Sequence, residues 1–262
     1  MAGYDCVAAS ERVFDAIRRA VRSCGCNCIA LSGGIDTSVV ALAARLEGLP
    51  LRGFTAYYVD GLPRDLPYAL YVAGSLGIGL KLVPVTEEYI ASRTRLIVEC
   101  TGRAESIEVR NDLVFARILE EALMSGCNCI FLGDGGDELF AGYGFMSLLP
   151  GNELHEKVLE MGVRGRYPGL ELAECMGVKA CAPILSDEVI ETVLSTPLDC
   201  LRGQGVRGKE LLRRILSSYG LPVIAKRAKT PAEEGAGTSI IDAKALTRIT
   251  GIKIKEPWLS KP

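Results

Sequence analysis

Histidine is nearly absent: His155 is the only one in 262 residues. Chemistry built on a histidine base, or on several imidazole ligands around a metal, is therefore excluded as the main activity, and His155 reads as a surface helix residue. Neither charge sign is in surplus. The 30 Lys and Arg stand against 32 Asp and Glu, for a formal net charge of −2 and a pI near 5.7. A protein whose main partner is a nucleic acid carries a basic patch, so nucleic acid is not expected here. No apolar run approaches the ~18 residues of a membrane span, and the start lacks the layout of a secretory signal. These absences point to the cytoplasm and away from a membrane. No low-complexity linker divides the chain, and no pair of cysteines has the Cys-x-x-Cys spacing of common zinc and redox sites.

Cysteine itself is abundant, with ten residues. Cys24, Cys26 and Cys28 form a Cys-x-Cys-x-Cys run, and Cys127 and Cys129 a second Cys-x-Cys. Both clusters fall at the amino ends of predicted strands. The preferred reading is that they are small buried thiols. Cross-strand disulfides of the kind found in intracellular proteins of hyperthermophiles are the alternative, followed by a metal or cluster site.

The apolar pattern alternates helix and strand. Residues 7–22 carry Val7, Val13, Phe14, Ile17 and Val21 at helical spacing. Strands are expected at about 28–32, Leu51–Tyr58, Leu80–Val85 and about 128–132. Between them lie helices at Thr37–Leu46, from an Asp65 cap to Leu76, from Thr86 to about Cys100, and from Asn111 and Asp112 as caps to Gly126, with 101–109 as a loop. Strands separated by helices imply right-handed crossovers and a parallel sheet with helices on both faces, a Rossmann-like α/β fold. Beyond residue 150 strand signals fade. Helices are expected at Ser186–Ser195 and Lys209–Tyr219, and over Thr238–Thr250. The division expected is one unit, with an α/β nucleotide-binding core over 1–150 and a mainly helical part over 151–262. The similar segments Gly25-Cys26-Asn27-Cys28-Ile29 and Gly126-Cys127-Asn128-Cys129-Ile130 mark two strands with similar local demands, since no regular period continues.

Two acidic glycine loops follow two of these strands. Ser32-Gly33-Gly34-Ile35-Asp36-Thr37-Ser38 comes after Cys28–Leu31, and Gly133-Asp134-Gly135-Gly136-Asp137-Glu138 after Ile130–Leu132. The carboxyl edge of an open α/β sheet, where a loop enters a helix, is where phosphates and nucleotides bind. Gly33 and Gly34 let the backbone approach a phosphate. Asp36 would repel a phosphate by itself, so its use is through a cation, and the second loop adds carboxylates to hold one on a polyphosphate. The pair argues for an enzyme that breaks ATP with Mg²⁺.

With these loops the chain resembles the N-type ATP pyrophosphatases, or PP-loop enzymes. Leu132-Gly133-Asp134-Gly135-Gly136-Asp137-Glu138-Leu139-Phe140-Ala141-Gly142-Tyr143 resembles the signature of the asparagine synthetases within them. Gly177–Leu185 and Lys229–Ser239 resemble two later segments of that family. The resemblance covers about residues 28–241, the synthetase part only; no glutaminase domain has a counterpart. It implies an adenine nucleotide alpha hydrolase-like fold and an AMP-forming carbon–nitrogen ligase of the asparagine biosynthesis type. Ser32, Gly33, Gly34, Asp36, Thr37 and Ser38 would hold the pyrophosphate part of ATP. Leu31, Ala56 and Gly133 would meet adenosine through their backbones, and Asp36 and Asp137 would bind Mg²⁺. Lys229 would neutralise charge on the phosphates, and Asp134 stands where the family has an acidic active-site residue. A small-molecule carboxylate, aspartate first among them, would be adenylated and then meet ammonia or an amine, from solution or from a separate glutaminase subunit; a homodimer is left open. The match departs at Cys181 and Ser186, where the family has Arg and Asp, and at Glu171 and Glu174. A tRNA-modifying PP-loop enzyme and a non-catalytic nucleotide-binding relative stand as alternatives. Lys209 reads as a solvated helix-start residue, and Arg110 as a residue that reaches the site only with little weight.

Overall fold

The computed structural model describes residues 5–202 and 208–256, the side chain of Ser147 apart. The chain opens with α1 (Cys6–Cys24), capped by the Asp5 carboxylate, which accepts the N–H groups of Val7 and Ala8. It then alternates through β1 (Cys28–Ala30), α2 (Ile35–Leu46), β2 (Arg52–Tyr58), α3 (Leu66–Leu76), β3 (Gly79–Val85), α4 (Glu87–Thr101), α5 (Ser106–Met124) and β4 (Ile130–Phe131). The second half begins with α6 (Gly136–Leu139), α7 (Gly151–Arg164) and α8 (Pro168–Cys175), then β5 (Ala180–Cys181). It ends with α9 (Asp187–Leu194), α10 (Leu198–Arg202), α11 (Glu210–Ser218), α12 (Pro222–Ala225), α13 (Ala232–Ala236) and α14 (Ala243–Thr250).

The five strands form one parallel sheet in the order β3-β2-β1-β4-β5. The side chains of β1 alternate as a pleated strand must: Ile29 joins the core on one face, Cys28 and Ala30 the core on the other. On the first face α1, α2 and α11 pack through Val13, Ile17, Val39, Leu211 and Leu216, while α4 and α5 cover the second through Ile90, Ile97, Leu113 and Leu119. Both faces of the central strands are thus dry, which is why they read as continuous apolar runs. Truncating a fully buried ring such as Phe131 to alanine removes packing worth ~3–5 kcal/mol. The chain leaves β1 for β2 on one side and reaches β4 on the other. The crevice between β1 and β4 is therefore the topological switch point, and both glycine loops open there.

Four expectations are corrected. Helix α5 starts at Ser106, so 101–109 is not a loop throughout and Asn111 and Asp112 are not its caps. Asn111 instead accepts the backbone N–H of Glu233 at 2.8 Å, and Asp112 is fully buried beside Arg103. Asp65 precedes α3 but caps nothing with its side chain. A fifth strand, β5, lies beyond residue 150; two residues long and half-buried, it has no period to detect. Val7 is exposed and lies off the buried stripe of α1.

The cysteines are not buried thiols. All ten are paired, as Cys6–Cys200, Cys24–Cys181, Cys26–Cys129, Cys28–Cys127 and Cys100–Cys175. The two Gly-Cys-Asn-Cys-Ile segments face each other at the amino edge of the sheet. Their disulfides cross between them, and Asn27 and Asn128 exchange hydrogen bonds, each backbone N–H donating to the other's side-chain oxygen at 3.1 and 3.0 Å. The remaining bridges fasten α1 to α10, α1 to β5, and α4 to α8.

Candidate functional site

The first glycine loop is shaped by its own hydroxyls. Ser32 Oγ accepts the N–H of Gly34 at 3.1 Å and lies 3.3 Å from Thr37 Oγ1. Gly33 has φ +69°, and a Cβ there would overlap the backbone of Tyr68 and Ala69 in α3, so only glycine fits. The loop feeds α2, whose first turn presents Asp36 toward the second loop. A Cβ on Gly136 would overlap the Asp36 carboxylate, which explains the paired glycines of the second loop: α6 must approach Asp36 through bare backbone.

Asp36 and Asp137 share one lysine. Lys209 Nζ lies 2.5 Å from Asp36 Oδ2 and 2.9 Å from Asp137 Oδ1, and Lys229 Nζ is 3.0 Å from the same Asp137 oxygen. Lys229 also stands 4.0 Å above the ring of Tyr143, whose hydroxyl donates to Glu138 at 2.5 Å. Asp36, Asp137, Lys209 and Lys229 line a cleft of about 100 Å³ with Ser32 and Gly34. Burial pushes the Asp36 carboxyl up to about 6, with Asp137 and Glu138 adding to the shift and Lys209 opposing it. Burial acts the same way on Asp137, but Lys209 and Lys229 outweigh it and hold that carboxyl below its usual value. Lys209 itself is buried, which disfavours its charge, yet the two carboxylates raise its pKa.

A second buried pair joins the late loop to the first. Arg227 forms an ion pair with Asp65, donates to the carbonyl of Ser32 at 3.4 Å and stacks 4.1 Å above Tyr68. The backbone N–H of Asp65 donates to Gly235 O at 2.9 Å. The segment carrying Lys229 is thereby pinned on one side, at Arg227, to Ser32 and Asp65, and on the other, at Gly235, to Asp65 again. Burial raises the Asp65 carboxyl, and Arg227 opposes that shift.

Of the residues singled out in the sequence, Ser32, Gly34, Asp36, Asp137 and Lys229 come together in the cleft. Gly33, Thr37 and Ser38 build the loop beneath it, Ser38 being fully buried. Leu31, Ala56 and Gly133 lie at the carboxyl ends of β1, β2 and β4 and do not line the cleft; the Leu31 N–H is used in the sheet, donating to Phe54 O at 2.8 Å. Asp134 faces away, toward the start of α8. Its Oδ2 has no hydrogen-bond partner, and a Cβ on Gly169 would stand 2.7 Å from it. Burial, then the Glu138 charge, push Asp134 up to about 7. Lys209 is not solvated but buried at the centre, a correction: the helix start it occupies is folded back onto the second loop. Arg110 does not reach the cleft either; it is buried against Glu233 at 2.6 Å and Ile241 O at 2.9 Å. Cys181 and Ser186 have structural partners instead, Cys24 for the first and the N–H of Val189 for the second. Lys209, Arg227 and Asp65 were not assigned a site role from sequence. The only signal was the basic character of Lys226–Lys229 and a lysine opening an amphipathic helix.

Metal capacity is limited and specific. Among the described residues no group of three or more His, Cys, Asp or Glu is disposed to hold an ion. What exists is two carboxylates: Asp36 Oδ1 is buried with no hydrogen-bond partner, and Asp137 Oδ1 lies near both lysines without an aligned hydrogen bond. Two all-oxygen donors fit a hard cation that takes its other ligands from phosphates and water, as Mg²⁺ does.

The two glycine loops, the facing carboxylates and the buried cations thus meet at the switch point of a parallel α/β sheet, the place where open sheets of this kind form ligand crevices. The Asparagine synthase family model matches residues 8–170, more than half of the sequence. The chain belongs to that family. It is 25% identical over 233 residues to asparagine synthetase B [glutamine-hydrolyzing] of Escherichia coli, covering 82% of this chain and 42% of that protein. A Methanocaldococcus jannaschii protein named as a glutamine-hydrolyzing asparagine synthetase is 25% identical over 250 residues, covering 80% and 45%. The chain thus spans less than half the length of these curated relatives. Among solved structures, NMN synthetase from Francisella tularensis aligns over 87% of this chain and 99% of its own, at 19% identity and a TM-score of 0.39; the family assignment does not rest on it. No helix among the described residues is long and apolar enough to cross a membrane.

Proposed function

We propose that residues 28–241 act as an ATP-dependent, AMP-forming ligase that makes an amide. A substrate carboxylate, aspartate first among candidates, attacks the α-phosphate of ATP; the bond to the β-phosphate breaks, leaving an acyl-adenylate and pyrophosphate. Ammonia or an amine then adds to the acyl carbon and AMP leaves. What carries this reading is the convergence of Asp36, Asp137, Lys209 and Lys229 on the cleft beside the Ser32 loop. The loop N–H groups and the α2 N-terminus suit the polyphosphate. Lys229, the more exposed of the two lysines on Asp137, suits the charge that develops on the departing pyrophosphate. Leu31, Ala56 and Gly133 would bound the adenosine, and Asp134, on the α8 side of the second loop and outside the cleft, would serve the acceptor only from that side. Asp36 and Asp137 would hold Mg²⁺, which supplies neutralising charge to the polyphosphate when bound. The nitrogen source would be free ammonia, an amine or a separate glutaminase chain, and a homodimer remains part of the proposal. A cytoplasmic location is part of the proposal; there the five disulfides would be of the kind that intracellular proteins of hyperthermophiles carry.

One observation favours a second reading, a nucleotide-binding relative that no longer joins an acceptor. Cys181 is committed to a disulfide, and Glu171 to ion pairs with Arg103 at 3.0 Å and Arg166 at 3.0 Å. A tRNA-modifying PP-loop enzyme remains the other alternative, and with all ten cysteines paired it would have no free thiol for sulfur chemistry. The deciding assay is pyrophosphate and AMP release from Mg-ATP with ammonia across a panel of acids led by aspartate. Release with aspartate and formation of asparagine supports the ligase; release with another acid reassigns the product; tight ATP binding without release under any mixture supports the second reading.

A further inference from the structure

Lys209 occupies the place that a cation bound by Asp36 and Asp137 would need. Its ammonium sits between the two carboxylates at 2.5 and 2.9 Å, and its side chain is buried. The backbone holds it there by unusual means. Lys209 has φ +58° and Ala141 φ +51°, the two non-glycine residues with left-handed backbone among those described, and they lie side by side. The N–H of Lys209 donates to Phe140 O at 2.7 Å, and a Cβ on Gly208 would overlap the Ala141 carbonyl. A Cβ on Gly142 would overlap both Asp137 Oδ1 and Lys209 Cε. The second glycine loop and the start of α11 are therefore built around this one side chain. Asp36 Oδ1, buried and without a hydrogen bond, is still left over by the arrangement.

We propose that Lys209 is an internal counter-cation that keeps free divalent metal out of the Asp36–Asp137 pair and yields its place only to a metal–polyphosphate complex. The proposal rests on the metal and polyphosphate reading above and adds an order of events to it. An ammonium and a divalent ion cannot share two carboxylates in a half-buried cleft without strong repulsion. Free metal would have to expel Lys209 into a cleft holding other cations, Lys229 and Arg227 among them. A polyphosphate arriving with its metal brings the negative charge to which Lys209 can turn. The cleft therefore selects the complex over either component, and the carboxylates stay neutralised at every stage.

The test uses the full chain with its disulfides intact and Mn²⁺ as probe, followed by its electron paramagnetic signal, without nucleotide and with the α,β-methylene analogue of ATP. Wild type is expected to bind Mn²⁺ weakly alone and tightly with the analogue. Lys209→Gln and Lys209→Met are expected to bind Mn²⁺ alone about 10- to 100-fold more tightly than wild type, the usual size of a neighbouring group's effect on metal affinity. Lys209→Arg, which keeps the charge and the fold's ion pairs, is expected to stay as weak as wild type. Equal Mn²⁺ affinity of wild type with and without the analogue overturns the proposal, as does a neutral variant no tighter than wild type, or an arginine variant as tight as the neutral ones. Absence of Mn²⁺ binding by every protein, with the analogue present, overturns the metal reading of the site itself.

Discussion

Removing the Cys6–Cys200 bridge is the perturbation whose size follows most directly from the structure. The bridge closes 194 residues, and in the chain-entropy treatment an isolated loop of that length stabilises the fold by ~5 kcal/mol. It is not isolated. The Cys24–Cys181 bridge lies within it, so with that bond intact the loop opened consists of the stretches before Cys24 and after Cys181. That loop is roughly 40 residues, for which the same treatment gives about 4 kcal/mol. At about 2–4 °C per kcal/mol for a chain of this size, the Cys6→Ala/Cys200→Ala variant should melt roughly 10 °C lower. The assay is thermal unfolding at one fixed scan rate, since aggregation of the unfolded chain makes midpoints rate-dependent. It is paired with thiol titration in denaturant, which should find no thiol before reduction and ten after it in the wild type. A midpoint lowered by less than about 2 °C, with the titration as expected, would refute the reasoning that nested bridges restrict the unfolded chain.

Three further outcomes are expected. Asp36→Asn and Asp137→Asn should each abolish Mg-dependent ATP cleavage while the circular dichroism spectrum is kept; near-normal turnover in either removes the metal assignment. Lys229→Ala should slow pyrophosphate release by ~10²–10³, the loss seen for one preorganised charge stabiliser, and an effect under about tenfold places Lys229 outside the reaction. Burial raises Asp36 and Asp112 to about 6 and Asp134 to about 7. Such carboxyls hold protons more tightly folded than unfolded, so stability should fall as pH rises from about 4 through 7 and recover on acidification across that window. Denaturation midpoints at pH 5 and pH 8 check this, and Asp134→Asn should flatten the slope; an unchanged slope would count against the burial of Asp134.

The disulfides and the acidic cleft are linked through the sheet. The crossed bridges and paired asparagines lock β1 to β4 at their amino ends. The glycine loops leave the carboxyl ends of the same two strands. The crossed bridges and the two acidic loops thus lie at opposite ends of the same hydrogen-bonded strand pair.

The alternation of helix and strand, the parallel sheet and both glycine loops were legible in the sequence because they depend on local order. Buried strands must be apolar, helices need caps, and a phosphate-type turn needs glycines between a strand and a helix. Asp36 and Asp137 could be named for the same reason, each lying a fixed few residues beyond its strand. What the chain order could not convey was which distant side chains would meet. Lys209 comes to Asp36 across 173 positions and Arg227 to Asp65 across 162. Nothing in the local pattern around either distinguishes it from an exposed basic residue. The same holds for the ten cysteines, whose pairing is decided by which helix ends and strand edges the packing brings within bonding reach. It holds for β5 too, which is a strand only because β4 offers it an edge. Sequence determined the elements and the placement of the two acidic glycine loops. Tertiary structure decided the counter-charges, because burying carboxylates is tolerable only where folding has delivered cations to them.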